Sequence, residues 1–357
     1  RIDFSLNFLI ILLLAGFSGS YAIVRLAVHT LRLPAYVRSF KEARRKDKGQ
    51  RATEDALIAF AEGRYARAER LAEQALLLNA APAINALLAA RAAQEQRAFA
   101  RRDEYLARAE RLAPQQAIAR LMTQADLLLE SRQPQDAMPV VQALKTLAGK
   151  HVGVLRLELK AQQLAKNWDQ VLLLLPQLEK RDGIEAVQAE QLRINAHIEN
   201  IKRRAHQAEE LKAYWAKLSS QEKTNSKIAL SAARYFLALG GAKEACEILE
   251  DSLAKHWDSD LVELYGQCAD KDVVKQIERA ENWLKEHPRD PHLLLALGRL
   301  CARQELWGKA QSYVEASLSL ETTRAAHLAL AQLLEKMNKT DEACKHYRQS
   351  LALESAG

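Results

Sequence analysis

The sequence predicts an all-α protein: an α-solenoid of about eight or nine helical pairs, preceded by one transmembrane helix. Helix-favouring residues dominate, while glycine (13) and proline (8) are scarce among the 357 residues. Small and apolar residues recur with a period near 34 residues in the larger part of the chain. A run of uncharged residues near the start has the length and composition of a membrane span.

The uncharged run extends from Leu6 to Val24. About 20 such residues cross the hydrocarbon core as a helix, which satisfies its own backbone hydrogen bonds. A signal peptide would carry its basic residues before the run, whereas here they follow it. A buried core helix would not usually be flanked by so many cations. We therefore expect a transmembrane helix within residues 1–30.

The positive charge of the protein is concentrated just after this run. The net charge is +7; residues 25–51 carry nine basic and two acidic side chains (also +7), so residues 52–357 sum to zero. Lys and Arg stay on the cytoplasmic side, which predicts that the repeat domain lies in the cytoplasm. The same cations can contact lipid headgroups, or act as a topology signal alone. They are Arg25, Arg32, Arg38, Lys41, Arg44, Arg45, Lys46, Lys48 and Arg51.

Two pairs of small residues lie in the uncharged run, Ala15 with Gly19 and Gly16 with Ser20. Small residues four apart let another membrane helix approach closely. The sequence also starts at Arg1 rather than at methionine. We therefore expect this helix to be the second of a pair whose first member lies upstream.

The repeats are aligned on one position of the second helix of each pair, which we call the anchor. Adjacent anchors are 33 to 35 residues apart, and two longer gaps, 171–245 and 245–310, each hold two repeats. Residues four and seven after the anchor are also small or apolar, so the three positions share a helical face. This is the tetratricopeptide pattern. The anchors are Ala68, Arg102, Ala137, Val171, Ala245, Ala310 and Ala343.

The domain boundaries follow from these features. Residues 1–30 hold the membrane helix, which we expect to close at Pro34, and residues 31–51 form a basic connector. The connector is predicted to be a polar helix, with a flexible linker as the alternative. Residues 52–357 form the tetratricopeptide-repeat solenoid, of which 52–114 is the more distinctive N-terminal part.

One anchor is unusual because it is charged. Arg102 stands where an alanine is expected, and it is followed by Asp103, Glu104 and Tyr105. One interpretation is a snorkelling arginine beside acids that favour the helix N-terminus. The other is a polar site that recognises a partner or interlocks two repeats. We take these four residues as partner-binding candidates.

The motifs of common enzymes and metal sites are absent from the sequence. It contains no G-x-x-x-x-G-K-[ST], G-x-G-x-x-G, H-E-x-x-H, G-x-S-x-G or C-x-x-C motif. We therefore predict neither an enzyme nor a metal site. If haem or porphyrin binds, an apolar slot with a His or Cys ligand is required, and His292, Cys301 and His327 are the candidates.

The run RIDFSLNFLIILLLAGFSGSYAIVRL, at residues 1–26, resembles the second membrane helix of the HemY family. ALIAFAEGRYARAERLAEQAL (56–76) and AINALLAARAAQEQRAFARRDEYLARAE (83–110) resemble the N-terminal domain of that family. The later repeats match in kind. The resemblance implies a protein of the bacterial inner membrane, with two membrane helices and a cytoplasmic repeat domain linked to a late stage of haem synthesis. It provides no catalytic residues to carry over.

We therefore expect a scaffold that binds or regulates haem-pathway enzymes at the cytoplasmic membrane face, with proteins and lipid but no nucleic acid as partners. A porphyrin or haem carrier or sensor is the first alternative. The second is an adaptor that regulates envelope lipid synthesis, which the lack of a C-x-x-C pair disfavours.

Overall fold

The computed structural model describes residues 6–149, 151–268 and 272–354, with the backbone alone for 6–8 and 26–39. Across these ranges the protein forms α-helices and one short 3-10 helix, and no strand. The predicted all-α class is confirmed. Two compact units, Arg1–Ala165 and Lys166–Gly357, divide the chain.

The helices of the first unit are α1 Leu6–Ala61, α2 Tyr65–Leu77, α3 Pro82–Glu95, α4 Phe99–Leu112, α5 Ala117–Glu130, α6 Pro134–Ala148 and α7 Val152–Leu164, with the 3-10 turn Pro114–Gln116 before α5. Those of the second unit are α8 Trp168–Glu179, α9 Ala186–Arg204, α10 Ala208–Lys217, α11 Ser220–Lys223, α12 Ser226–Ala238, α13 Ala242–Leu253, α14 Ser259–Tyr265, α15 Val273–Glu286, α16 Pro291–Arg303, α17 Trp307–Leu320, α18 Arg324–Lys336 and α19 Thr340–Glu354. Odd-numbered helices up to α9, and then α12, α14, α16 and α18, are the first helices of repeats and are called helices A. Their successors α2, α4, α6, α8, α10, α13, α15, α17 and α19 are helices B.

The anchor position has the same geometry in every helix B. Its backbone N–H donates to the carbonyl four residues earlier, at 2.9 to 3.4 Å, so it closes the first turn of the helix. All seven predicted anchors are buried, with at most 4% of their surface exposed. The residues four and seven positions later are buried as well, apart from the half-buried Tyr347. The predicted repeat register is therefore confirmed.

The two gaps between anchors each hold two repeats, as predicted, but their spacing is uneven. The anchors within them are Leu211 and Gln276, at 0% and 4% exposure. The resulting spacings are 40 and 34 in the first gap and 31 and 34 in the second. The 40-residue spacing contains α9, which is long for a helix A at 19 residues, whereas the short helix α11, capped reciprocally by Ser219 and Glu222, lies within a 34-residue spacing. The uneven spacing leaves the start of each helix B unchanged.

The turn between helices A and B also repeats. Five residues before the anchor, the backbone takes the left-handed conformation, which costs a non-glycine residue about 1–2 kcal/mol. This holds in seven of the eight turns in which the residue is described, His206 being the exception, and glycine occupies only two of the seven. The seven are Gly63, Arg97, Arg132, Lys166, Gly240, Glu305 and Asn338, with φ between 55° and 80°.

The N-terminal helix differs from its predicted boundaries. α1 runs unbroken from Leu6 to Ala61, so the expected helix end at Pro34 is wrong. A proline removes one backbone hydrogen bond and can kink a helix without ending it. The connector is helical, and the flexible-linker alternative is not supported.

A membrane span is not confirmed. Within the part of the protein that the structure describes, no helix combines the length and the apolar character needed to cross a bilayer. The large apolar side chains between Leu9 and Val24 are exposed, with Phe17 at 75%. The side chains of Arg32 and Arg38 lie outside the described residues.

The cores of the two units differ in composition. In the second unit one apolar cluster extends from Ile194 to Ala343 and is rich in leucine, isoleucine and aromatic residues. In the first unit alanine fills many of the contacts among α1, α2 and α3. Alanine allows close approach of the helix axes but buries little area per residue.

Candidate partner-binding surfaces

One position of helix A, eleven residues before the anchor, is at least partly exposed in several repeats of each unit, although it is buried in α9 (Asn200) and α14 (Tyr265). In the first unit it is occupied by Arg91 on α3, Asp126 on α5 and Lys160 on α7. Asp126 pairs with Arg91 at 3.1 Å and with Lys160 at 3.5 Å, so one carboxylate is shared by two cations. These three residues line a groove of about 360 Å³ together with Arg156. We call it the unit-1 groove.

Glu130 lies one turn after Asp126 on α5, and its pKa is affected by the charges of this cluster. Burial, and secondly the charge of Asp126, raise the pKa of Glu130 above its usual value. The unit-1 groove is thus lined by three cations and one carboxylate, that of Asp126, whereas the repeat domain as a whole has no net charge.

The second unit has a larger groove, of about 690 Å³, between α16 and α18. Arg299 and Gln332 occupy the recurring position, and Arg303 and Lys336 follow one turn later. Equivalent residues of successive repeats therefore line the groove in two rows. We call it the unit-2 groove. Desolvation by burial lowers the pKa of Arg299, although Glu263 opposes this shift at 3.5 Å.

Arg102 joins two repeats in the first unit. It is 4% exposed, and its guanidinium donates to Gln94 at 3.1 Å and to the hydroxyl of Ser131 at 3.2 Å. A third bond reaches Asp103 at 2.8 Å, and the guanidinium lies 5.3 Å from the ring centre of Phe99. This is the geometry of an interlock between repeats. Recognition of a partner by Arg102 stays a prediction.

The neighbours of Arg102 divide into exposed and buried. Asp103 and Glu104 are exposed, whereas Tyr105 is 8% exposed and donates to Glu69 at 3.3 Å. Burial and, next, the charge of Glu69 raise the pKa of Tyr105 to about 12. Glu69 itself is 4% exposed and pairs with Arg101 at 2.9 Å. Only Asp103 and Glu104 thus offer side chains to a partner without rearrangement.

The three haem-ligand candidates have separate surroundings. His292 contacts Glu263 at 3.0 Å, Cys301 is fully buried in the core, and His327 contacts His346 at 3.0 Å. Within the described ranges, no group of three His, Cys, Asp or Glu side chains is placed to hold a metal ion. Burial raises the pKa of the Cys301 thiol and lowers the pKa of His327.

Two histidine contacts could not be predicted from the sequence. His327 stacks on His346, 19 residues later, with ring centres 5.2 Å apart. His197 is buried between the hydroxyl of Tyr214 at 2.9 Å and the carboxylate of Glu222 at 3.2 Å. Both contacts join residues far apart in sequence, and only the repeat register, which places a residue on a face of helix A or B, could have suggested them.

The residues predicted to lie at the membrane are exposed where they are described. Gly16 and Gly19 have open space around them, and Ala15 and Ser20 are exposed. Arg45 donates to the carbonyl of Leu77 at 3.0 Å, and Arg51 pairs with Asp47. Five other basic side chains are exposed: Arg25, Lys41, Arg44, Lys46 and Lys48.

Within the described ranges, nine helices B in one register, each preceded by a helix A, define the class: a tetratricopeptide-type helical repeat protein. Residues 326–356 match the tetratricopeptide repeat family model. The resemblance to the HemY family is confirmed, because residues 1–97 match the family model described as HemY protein N-terminus. Protein HemY of Escherichia coli (strain K12) is 25% identical over 355 residues, which cover 99% of this chain and 89% of that protein. Protein HemY of Shigella flexneri has the same identity and coverage.

Solved structures show a looser likeness. The APC/C hetero-tetramer Cut9–Hcn1 has a TM-score of 0.36 and 16% identity, covering 84% of this chain and 65% of that chain. MamA has a TM-score of 0.31 and 16% identity, covering 42% of this chain and 89% of that chain. At these scores the likeness carries no argument about function.

Proposed function

We propose that the protein is a membrane-anchored, non-catalytic repeat scaffold that binds or regulates enzymes of a late stage of haem synthesis. The observation that carries the proposal is the HemY N-terminal match of residues 1–97 joined to an array of repeats in one register. Repeats of this kind present extended surfaces made from successive helices. Gathering enzymes on one such surface raises their effective concentration for each other.

The grooves support protein binding. Each is lined by side chains from successive helices A and combines charged groups with apolar surface. A scaffold needs no catalytic group, and the strongly shifted pKa values of Tyr105, Tyr214 and Tyr313 arise first from burial. The proposal places the repeat domain, residues 52–357, in the cytoplasm.

The exposed apolar part of α1 supports the membrane anchor. Between Leu9 and Val24 its large apolar side chains are 47% to 75% exposed, and basic residues follow from Arg25. Exposed apolar surface of this kind fits a lipid environment. In the proposal, residues 6–24 enter the bilayer and the small residues Ala15, Gly16, Gly19 and Ser20 face another membrane helix.

The insertion of α1 into the membrane is tested by alkaline carbonate extraction of bacterial membranes. The wild-type protein is expected to remain in the pellet, and Leu13→Arg to move toward the supernatant, because a cation near the helix centre costs about 2.5–3.5 kcal/mol. Leu351→Arg is the matched control, since Leu351 is exposed to a similar degree, 62% against 67% for Leu13. Complete release of the wild-type protein by carbonate would contradict the insertion of α1 into the membrane.

The scaffold is tested by photo-crosslinking in living cells. A photoreactive amino acid at Lys160 or at Gln332 lies in the unit-1 or unit-2 groove, and one at the exposed Lys345 serves as the control. Haem-pathway enzymes are expected among the adducts of the first two positions and not of the third. Adducts that contain no haem-pathway enzyme would overturn this part of the proposal.

A further inference from the structure

The unit-2 groove combines three cations with an apolar base. Arg299, Arg303 and Lys336 line it, and the side chains of Trp307 and Leu333 form part of its floor. The floor is tightly packed at Gly298, where an added Cβ would lie 2.4 Å from Val314. The lining of the groove therefore combines three cations with apolar side chains.

The protein itself provides little negative charge to these cations. Arg299 lies 3.5 Å from Glu263, but that carboxylate also contacts His292 at 3.0 Å. Arg303 donates to the backbone carbonyls of Gln267, at 2.6 Å, and of Cys268.

The remaining charges of the groove do not change this balance. In the part of the protein that the structure describes, neither Arg303 nor Lys336 has a carboxylate within ion-pair distance. Glu335 lines the groove and accepts a hydrogen bond from Tyr347 at 2.8 Å, so its one negative charge stands against the three cations of the lining. Positive charge therefore dominates the groove, although residues 52–357 as a whole are neutral.

The size of the groove indicates more than a small ion. A volume of about 690 Å³ falls in the range of sites that hold a drug-sized molecule or a short peptide segment. Gln267 and Gln332 line it as well, and their amides can both donate to and accept from a peptide backbone. Guanidinium and ammonium groups pair well with carboxylates, and Arg does so in a fixed, forked geometry.

We propose that the unit-2 groove binds an extended peptide segment of a partner protein that carries a carboxylate next to an apolar side chain. The carboxylate contacts Arg303 and Lys336, and the apolar side chain packs on Trp307 and Leu333. This inference rests on the proposed function, because it specifies the chemistry of a partner that the scaffold binds. The carboxylate is either that of an Asp or Glu residue or the C-terminal carboxylate of the partner protein.

The test uses the full-length protein in detergent and fluorescein-labelled octapeptide pools. One pool holds Glu or Asp beside Leu, Ile or Phe at fixed positions, and its matched pool holds Gln or Asn instead. Each pool is made with a free and with an amidated C-terminus. Fluorescence anisotropy is expected to show one of two results. If a side-chain carboxylate binds, the amidated acidic pool binds at least about tenfold more tightly than the amidated neutral pool, a difference of about 1.4 kcal/mol. If the C-terminal carboxylate binds, both pools bind with a free C-terminus and neither binds when amidated. Loss on amidation assigns the carboxylate to the C-terminus, and no change assigns it to side chains.

Variants tie the binding to the groove. Lys336→Glu is expected to weaken acidic-pool binding at least about tenfold, whereas Lys345→Glu, the same substitution on the neighbouring helix α19, leaves it unchanged. Lys336 makes no hydrogen bond or ion pair to other described residues, so its variant should fold. Binding should also weaken as the salt concentration rises, because exposed ion pairs are screened.

Binding that is equal for the acidic and neutral pools and unchanged by amidation, or equal loss for both variants, would overturn the inference. A second result would also overturn it: the wild-type protein binds vesicles of phosphatidylglycerol and phosphatidylcholine but no peptide pool, and Lys336→Glu loses the vesicle binding. The groove would then be assigned to lipid. If crosslinking captures haem-pathway enzymes while the acidic pool does not bind, the inference fails and the scaffold stands. If the acidic pool binds and crosslinking captures no such enzyme, the scaffold for haem synthesis fails and the inference stands.

Discussion

The guanidinium of Arg102 donates a hydrogen bond to the hydroxyl of Ser131 across 3.2 Å, and so ties the start of α4 to the turn that follows α5. Gln94 completes the link, since its amide nitrogen donates to the same hydroxyl at 2.8 Å and its oxygen accepts from Arg102. A charged residue at an anchor position therefore has a structural reason: it replaces small-residue packing with bonds between two repeats.

Arg102→Ala is expected to lower the free energy of unfolding by about 2–3 kcal/mol, because it removes several charge-assisted bonds and leaves a cavity. Chemical denaturation measures the change. Arg111→Ala on the same helix is the control, since Arg111 is exposed, and it should change stability by less than about 0.5 kcal/mol. Equal effects of the two substitutions would contradict the interlock.

Glu305 has a left-handed backbone, with φ of 57°, in the turn between α16 and α17. Glu305→Gly removes a steric cost of about 1–2 kcal/mol but adds freedom to the unfolded state, worth about 0.4–1 kcal/mol. We expect a net gain of roughly 0.5 kcal/mol, measured as a higher denaturation midpoint. Glu305→Ala keeps the steric cost, so a gain equal to that of glycine would contradict the explanation.

Gly298→Ala is expected to destabilise the second unit by about 1–3 kcal/mol, because the new methyl group would overlap Val314 in a packed helix pair. Gly308→Ala is the matched control on α17, where nothing lies within 4 Å of the added Cβ. That variant should be neutral or gain less than about 1 kcal/mol. Thermal unfolding of both variants checks the difference, and a destabilised Gly308→Ala would contradict it.

His197 should make stability depend on pH. Burial lowers its pKa, and the charge of Arg193 adds to this shift, whereas Glu222 and, to a lesser extent, Glu190 oppose it. Because the folded-state pKa lies below the unfolded value of about 6.5, the unfolded state binds more protons as the pH falls past that value. Stability is therefore full above about pH 6.5 and declines toward the lower folded-state pKa.

The test compares melting temperatures at about pH 7.5 and about pH 5.5, on either side of the unfolded-state pKa. His197→Gln keeps a polar side chain that does not titrate, so its melting temperature should fall less than that of the wild type between the two pH values. The exposed His256→Gln should behave as the wild type. A decrease in His197→Gln as large as in the wild type would exclude His197 as the source.

The repeat register could be predicted because small or apolar residues stand at equivalent places in most helices B. Leu211 and Gln276 could not be identified as anchors, since neither is small and the spacing before each departs from 34. Once the start of helix B is known, the helix geometry determines which of its residues are buried. The sequence indicates that start only indirectly.

The candidate surfaces were harder to predict. Arg299 and Lys336 look like ordinary exposed cations in the sequence, and their shared groove depends on how α16 and α18 pack. The contact between His327 and His346 likewise depends on the pairing of α18 with α19. The continuous helix through Pro34 was missed because the local rule for proline was applied without the neighbouring helical turns.

The alanine-filled contacts among α1, α2 and α3 have a consequence for how the protein opens. Each buried alanine contributes much less transfer free energy than a leucine, so these first helix pairs gain less from burial than α16 and α17 do. Their amide protons should therefore exchange with deuterium sooner than those of the leucine-rich pairs. Local fluctuations would then begin beside the end of α1, and they would change the direction in which that long helix emerges from the repeats.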